Sequence, residues 1–151
     1  MSVEEHLVYY SKIKGIKADM RTRLIEQQIK ELGLETHRTK PSGTLSGGNK
    51  RKLSVAIALL GNSPIVFLDE PSAGMDPEAR REMWKVVARV SLQRKKSAVI
   101  LTTHSMEEAE ALSTKMGIMV KGGTFKCFGS SQHIKNKFGT GYEIEAKIAK
   151  L

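Results

Sequence analysis

The chain has 151 residues, of which 40 % are apolar and 27 % charged, enough to bury the core of one domain of ordinary size. Its longest apolar runs, residues 65–68 and 98–101, are far too short to cross a bilayer, and its acidic start, Ser2-Val3-Glu4-Glu5, predicts no signal peptide. The single Cys127 excludes an internal disulfide framework and fits a reducing compartment, while the formal charge of +9 comes from small scattered groups such as Lys50-Arg51-Lys52 and Arg80-Arg81. Scattered cations read as a solvated face with some capacity for anions; with only three tyrosines and four phenylalanines to stack on bases, no nucleic-acid track is expected.

Ser2 and Glu5 form a capping-box pattern that predicts a helix to about Lys14, stopped by Gly15. Ile25, Ile29 and Leu32 recur at helical spacing, so a second helix is expected from about Ala18 to Leu32, with Gly33 as its break. Residues 34–44 are polar, contain Pro41 and Gly43, and read as a loop. Ser46 is the predicted cap of a third helix, with an apolar stripe at Leu53, Ala56, Ile57 and Leu60 and an end at Gly61.

The continuous apolar run 65–68 suits a strand covered on both faces, hence a parallel sheet. Asp76-Pro77 is an N-cap followed by proline at the first helical position. The helix it opens carries Met83, Val87 and Val90 on one side, with Trp84 alongside. A polar turn at 93–97 and a second buried strand at 98–103 complete a right-handed βαβ unit. Ser105 to Glu108 reads as another capping box opening a short helix to about Leu112. Lys121-Gly122-Gly123 between residues 117–120 and 124–128 signals a hairpin. Ser130 or Ser131 is placed to cap a short helix through Phe138, and 142–148 alternates like a half-exposed final strand.

Three places carry possible chemistry. Gly47 and Gly48 sit just inside a helix start, where glycine is a poor helix former but lets an anion approach bare backbone N–H groups at the positive end of the dipole. Lys50, Arg51 and Lys52 lie in that same turn, where cations are disfavoured unless a polyanion arrives. Asp69 ends the first buried strand, the place where open α/β sheets bind ligands; an aspartate there can hold Mg²⁺, and Glu70 beside it can take a proton from an attacking water. His104 ends the second strand and falls near both carboxylates if the strands are neighbours. Each has an ordinary alternative: a glycine-containing cap, a solvated acidic pair, a polar residue before a helix. His6, His37 and His133 are expected to do nothing chemical, and four histidines with one cysteine show no zinc-ligand spacing.

Taken in order, these segments resemble one family. Leu45-Ser46-Gly47-Gly48-Asn49 resembles the signature motif of ATP-binding-cassette (ABC) ATPases, with Asn where Gln is commoner. Ile65 to Glu70 resembles Walker B with the catalytic glutamate, Ser72-Ala73-Gly74-Met75-Asp76 the D-loop, and His104 the switch histidine. The strings Gly47 to Ser54, His104 to Glu110 and Gln132 to Gly139 are most similar to transporter subfamily A. The resemblance covers essentially the whole chain.

It implies an α/β fold, a partial P-loop NTPase core with parallel strands. Residues 2–60 would be the helical signature subdomain, 61–116 the core from Walker B to the switch histidine, and 117–151 a C-terminal hairpin, short helix and strand. It implies ATP and Mg²⁺ as ligands: Glu70 and His104 as catalytic residues, Asp69 on the metal, and Ser46, Gly47, Gly48, Asn49 and Asp76 on nucleotide. It further implies a second nucleotide-binding domain paired head to tail, transmembrane domains, and a place at the cytoplasmic face of a membrane in a lipid transporter. No Gly-x-x-x-x-Gly-Lys-Ser/Thr occurs in these residues, and no upstream aromatic or Q-loop glutamine, so the chain resembles a domain cut just after its Q-loop, and little hydrolysis by it alone is expected. The strand at 98–103 would then be an apolar, unpaired edge. Two other readings stay open: a soluble ABC ATPase acting on nucleic acid or ribosomes, and a catalytically inactive interaction fragment.

Overall fold

The computed structural model describes residues 1–61, 63–93 and 97–138. The expected final strand at 142–148 and most of the polar turn at 93–97 lie outside them. The chain divides into two compact units, Met1–Leu112 and Ser113–Leu151. No helix among the described residues is long and apolar enough to cross a membrane.

The first unit opens with α1 (Val3–Ile13). Its capping box forms as read: the Ser2 N–H donates to Glu5 Oε2 at 2.7 Å, and the Glu5 N–H donates to Ser2 Oγ at 3.2 Å. Gly15 ends it in the left-handed region, at φ 68°. α2 (Ala18–Glu31) follows, buries Ile25 and Ile29, and ends before Gly33 at φ 62°. The loop 34–44 contains two short 3₁₀ turns, Glu35–His37 and Ser42–Thr44. It is tied to the N-terminus by Val3 N–H to Lys40 O at 3.2 Å and Ser42 N–H to Met1 O at 3.0 Å. Arg38 fixes it further, reaching Glu4 on α1 at 2.8 Å and Glu26 on α2 at 3.0 Å.

α3 (Gly47–Leu59) starts at Ser46 as expected. Its buried face is Leu53, Val55, Ala56 and Leu59 rather than the stripe read from sequence: Ile57 is only partly buried, and Leu60 is buried as the C-cap in extended backbone. The helix ends at Leu59 with Gly61, at φ 85°, just past its C-cap as expected, and Lys14 of the α1 C-terminus takes its last carbonyls. Lys14 Nζ donates to the oxygens of Ile57, Ala58 and Leu60 at 2.7, 3.0 and 3.0 Å.

β1 (Ile65–Asp69) and β2 (Ala98–Thr102) pair in parallel, with Ile65 opposite Ala98 and Asp69 opposite Thr102. α4 (Pro77–Gln93) connects them and buries Met83, Val86, Val87 and Val90. One expectation fails here. β1 is covered on one face only, with Val66 and Leu68 buried and Ile65 and Phe67 53 % and 70 % exposed. β2, expected to be buried, has no buried residue: Val99 and Leu101 are half-buried and Ile100 is 49 % exposed. Among the described residues, helices and their core pack against one side of this two-stranded sheet, so alternate side chains face outward. β2 has no second strand neighbour among the described residues. Fully buried side chains such as Leu7, Leu34 and Leu59 anchor the core, each contributing about 1.5–3 kcal/mol of burial.

α5 (Met106–Leu112) completes this unit. Only half of its capping box forms as read: the Glu108 N–H donates to Ser105 Oγ at 3.3 Å. The Ser105 N–H goes to Thr103 Oγ1 at 3.0 Å, and the buried Glu108 carboxylate instead accepts from Trp84 Nε1 of α4 at 3.0 Å. In the second unit, β3 (Met116–Val120) and β4 (Thr124–Gly129) form the expected antiparallel hairpin around Gly122 and Gly123, both at positive φ. Ser130 caps α6 (Ser131–Phe138) by accepting from the His133 N–H at 3.2 Å.

Candidate functional site

The first cluster is the start of α3. Ser46 has extended backbone, φ −60° and ψ 159°, and its Oγ accepts from the Asn49 N–H at 3.3 Å. Neither Gly47 nor Gly48 has a positive φ, and a Cβ added at either would meet nothing within 4 Å. Neither backbone conformation nor crowding requires glycine at these positions. What bare backbone does provide is an unobstructed approach to the helix start. Of the three cations expected beside it, Lys52 turns elsewhere. It lines a cavity of about 160 Å³ with Glu31, Glu82 and the end of α2, where the Lys85 hydrogen bond above all, and to a lesser degree the Lys52 charge, lowers the Glu82 carboxyl pKa.

A contact that sequence reasoning missed closes this cluster. The Asn49 amide lies 3.0 Å from His37 Nε2, both partly buried. Nothing in the sequence pattern marks His37, because a loop histidine twelve residues before the turn has no periodicity to betray it.

The second cluster sits at the carboxyl ends of β1 and β2, where ligands of α/β sheets bind. Asp69 is the last residue of β1, and its Oδ1 accepts from the Thr102 hydroxyl at 2.5 Å. Thr102 also receives the Glu70 N–H, at 3.1 Å on its carbonyl and 3.3 Å on its Oγ1. Glu70 itself adopts φ 47°, the one described non-glycine residue in the left-handed region. That conformation costs a residue with a Cβ about 1–2 kcal/mol. It turns the Glu70 side chain toward β2, where both carboxylate oxygens lie 2.9 Å from His104 Nδ1. Since the carboxylate accepts, Nδ1 carries the proton and Nε2 is left facing outward as the ring's other polar atom. The His104 side chain is 81 % exposed and Glu70's is 32 % exposed, so the pair is open to an incoming ligand.

The structure therefore brings Asp69, Glu70 and His104 together and adds Thr102, which the sequence reading did not single out. Its signal was available in principle: it ends β2 opposite Asp69 once the two strands are aligned by their polar ends. Ser46, Gly47, Gly48 and Asn49 form the separate cluster described above. Asp76 belongs to the turn between, where Gly74 at φ 72° reverses the chain. Its Oδ1 caps α4, accepting from the Glu78 and Ala79 N–H groups at 3.1 and 2.9 Å, and the Ala79 bond above all holds its carboxyl below the usual pKa.

Among the described residues no three His, Cys, Asp or Glu side chains gather as an all-protein metal cage. A single strand-end aspartate beside a hydroxyl fits Mg²⁺ instead, since that ion binds through one or two carboxylates and substrate phosphates.

Comparison with known proteins places the fold in a class. A family model described as "AAA domain, putative AbiEii toxin, Type IV TA system" matches residues 14–110. A solved "ATP binding subunit of ABC transporter" superposes with a TM-score of 0.79 at 25 % identity, over 92 % of this chain and 57 % of that one. The class is thus an AAA-type ATPase domain of the ABC kind. Human retinal-specific phospholipid-transporting ATPase ABCA4 is 53 % identical over 144 residues, 95 % of this chain and 6 % of that protein. Mouse phospholipid-transporting ATPase ABCA3 is 51 % identical over 148 residues, 98 % of this chain and 8 % of that protein. The chain belongs to the nucleotide-binding domains of ABC transporters, subfamily A, and spans less than a tenth of the length of these relatives.

Proposed function

We propose that the chain supplies the signature turn and the strand-end residues of an ATP-hydrolysing site that drives lipid movement across a membrane. The observation that carries this is the cluster at the ends of β1 and β2: Asp69, Glu70 and His104 joined through Thr102 and the 2.9 Å Glu70–His104 contact. In this reading Glu70 takes the proton of the water attacking the γ-phosphate. His104 holds Glu70 by Nδ1 and presents Nε2 to the water or the phosphate. Asp69, oriented by the Thr102 hydroxyl, holds Mg²⁺, which would neutralise charge developing on the phosphates. The bare N–H groups at Gly47 and Gly48 receive the phosphates of a nucleotide carried by a second such domain, paired head to tail.

A phosphate-cradling Gly-x-x-x-x-Gly-Lys sequence has no counterpart in these 151 residues, so the site is completed by a P-loop from elsewhere in the assembly. Lipid as the transported substrate, transmembrane domains as partners and the cytoplasmic membrane face as location are supported by the subfamily A relatives, both named as phospholipid-transporting ATPases. The test is steady-state ATP hydrolysis by the intact protein, read from its transcript. Glu70→Gln should lose at least a hundredfold in turnover while retaining ATP binding, because a general base contributes about 10²–10⁴-fold to rate and little to ground-state contacts. Near-normal turnover by that variant removes Glu70 from the role.

A further inference from the structure

We propose that His37 is a positioning residue for the signature turn: it holds the Asn49 side chain in the orientation that meets nucleotide. The inference rests on the reading above that the turn contacts ATP. Asn49 is fixed twice. Its backbone N–H is taken by Ser46 Oγ at 3.3 Å, and its side-chain amide lies 3.0 Å from His37 Nε2. With Nδ2 donating to the ring, Oδ1 is left for an incoming ligand.

The ring is itself held rigidly. His37 lies in the 3₁₀ turn Glu35–His37, its N–H bonded to Leu34 O at 3.0 Å and its carbonyl to the Lys40 N–H at 3.0 Å. The next residue, Arg38, is clamped between Glu4 and Glu26 of α1 and α2. His37 thus transmits the position of the two-helix frame to the first turn of α3.

The ring's other nitrogen argues that this contact, not stability, is what histidine is there for. His37 Nδ1 is buried and has no hydrogen-bond partner among the described residues. A buried polar atom without a partner is destabilising, so an apolar side chain of similar volume would serve the core better. Among the described residues the one polar contact the imidazole makes is Asn49. Without it the Asn49 amide is free to rotate, and must be ordered each time nucleotide binds.

The experiment measures ATP KM, kcat and thermal midpoint on the intact protein. His37→Leu should raise KM for ATP about fivefold, the worth of one net hydrogen bond, with kcat within about twofold. Its thermal midpoint should be no lower than that of the wild type, since the orphaned nitrogen is gone. His37→Gln, whose amide reaches as far as Nε2, should restore KM; the shorter His37→Asn should not. In an Asn49→Leu background, His37→Leu should change nothing further. An unchanged KM in His37→Leu, an additive effect in the Asn49→Leu background, or a Gln variant no better than Asn overturns the proposal. Should His37→Leu fail to fold, the Gln and Asn pair carries the same comparison. A wild-type protein without ATP turnover would sink the functional reading. Wild-type turnover with a raised KM for Asn49→Leu but not for His37→Leu would sink this inference alone.

Discussion

Glu70 stores backbone strain, and that strain can be measured against its function. At φ 47° a side chain with a Cβ costs about 1–2 kcal/mol, and asparagine, which tolerates the left-handed region, should recover about half of it. The carboxylate's contact with His104 offsets little, since the two side chains are 32 % and 81 % exposed and such open pairs contribute about 0–1 kcal/mol. Glu70→Gln loses the charge but keeps the strain, whereas Glu70→Asn loses the charge and relieves it. The Asn variant should therefore exceed the Gln variant in stability by about 0.5–1 kcal/mol, a rise of about 1–4 °C in melting temperature for a chain of this size. Both should lose hydrolysis by about 10²–10⁴-fold. The assay is thermal unfolding followed by circular dichroism on the two variants, beside their ATP turnover. A Gln variant as stable as the Asn variant would refute the claim that this backbone is strained. A loss of more than about 2 kcal/mol in both, relative to wild type, would make Glu70 a structural residue of the turn.

Four other outcomes are expected. Thr102→Val, which leaves Asp69 and the Glu70 N–H without their hydroxyl partner, should cost about tenfold or more in apparent Mg²⁺ affinity, with recovery in Thr102→Ser; equal affinity in the Val variant would deny the orienting role. Lys14→Met keeps the aliphatic stem but uncaps the end of α3, and should lower urea-unfolding stability by about 1–2 kcal/mol; a change under about 0.3 kcal/mol would mean its three carbonyl contacts are idle. The Arg38 hydrogen bond holds Glu4 below its ordinary pKa of 4.5, so the pair's stabilisation is present above about pH 4.5 and is lost as pH falls through the lowered value; melting temperature from pH 7 to 3 should fall less steeply in Glu4→Gln, and parallel curves would contradict this. Residues 1–151 produced alone should self-associate through the open sheet face, and Phe67→Glu should reduce this; a wild-type monomer by light scattering that Mg-ATP stabilises thermally would show the inference wrong.

Local structure was legible wherever one residue's chemistry decides it. Ser2 with Glu5, Ser46, and Asp76 with Pro77 each mark a helix start, and each caps the helix expected of it. What sequence could not give was decided by long-range geometry. The run Ile65 to Leu68 is apolar at every position, which fits a strand covered on both faces; only the placement of helices shows that Ile65 and Phe67 face outward. Glu108 completes a capping-box pattern, yet its carboxylate goes to Trp84, twenty-four residues away, because burial makes the indole N–H the partner at hand. At the end of α3 the Gly61 stop was readable, but Lys14, more than forty residues upstream, was not visible as the donor to its last carbonyls.

The candidate site divides along the same line. Asp69, Glu70 and His104 were readable because strand ends in a βαβ unit converge, and register then places Asp69 opposite Thr102. Thr102 becomes readable only once that register is aligned, and His37 not at all, because it acts through another residue and leaves no spacing of its own. The structure supplies a different kind of signal for the site: departures from local preference that nothing in the fold requires. Gly47 and Gly48 weaken a helix start where no crowding or positive φ calls for glycine. Glu70 adopts a backbone that favours glycine or asparagine. His37 buries a nitrogen without a partner. In a chain whose caps and turns otherwise follow their local chemistry, such costs are expected to collect at functional positions. Gln28 Oε1 on α2 and Arg80 Nε on α4 are also buried without a partner, but the departures named above fall in the signature turn, on the residue proposed to orient it, or at the end of β1. These are the segments that the proposed reading assigns to nucleotide, and a stability gain on relieving any of them, bought with lost ATP turnover, would be its physical signature.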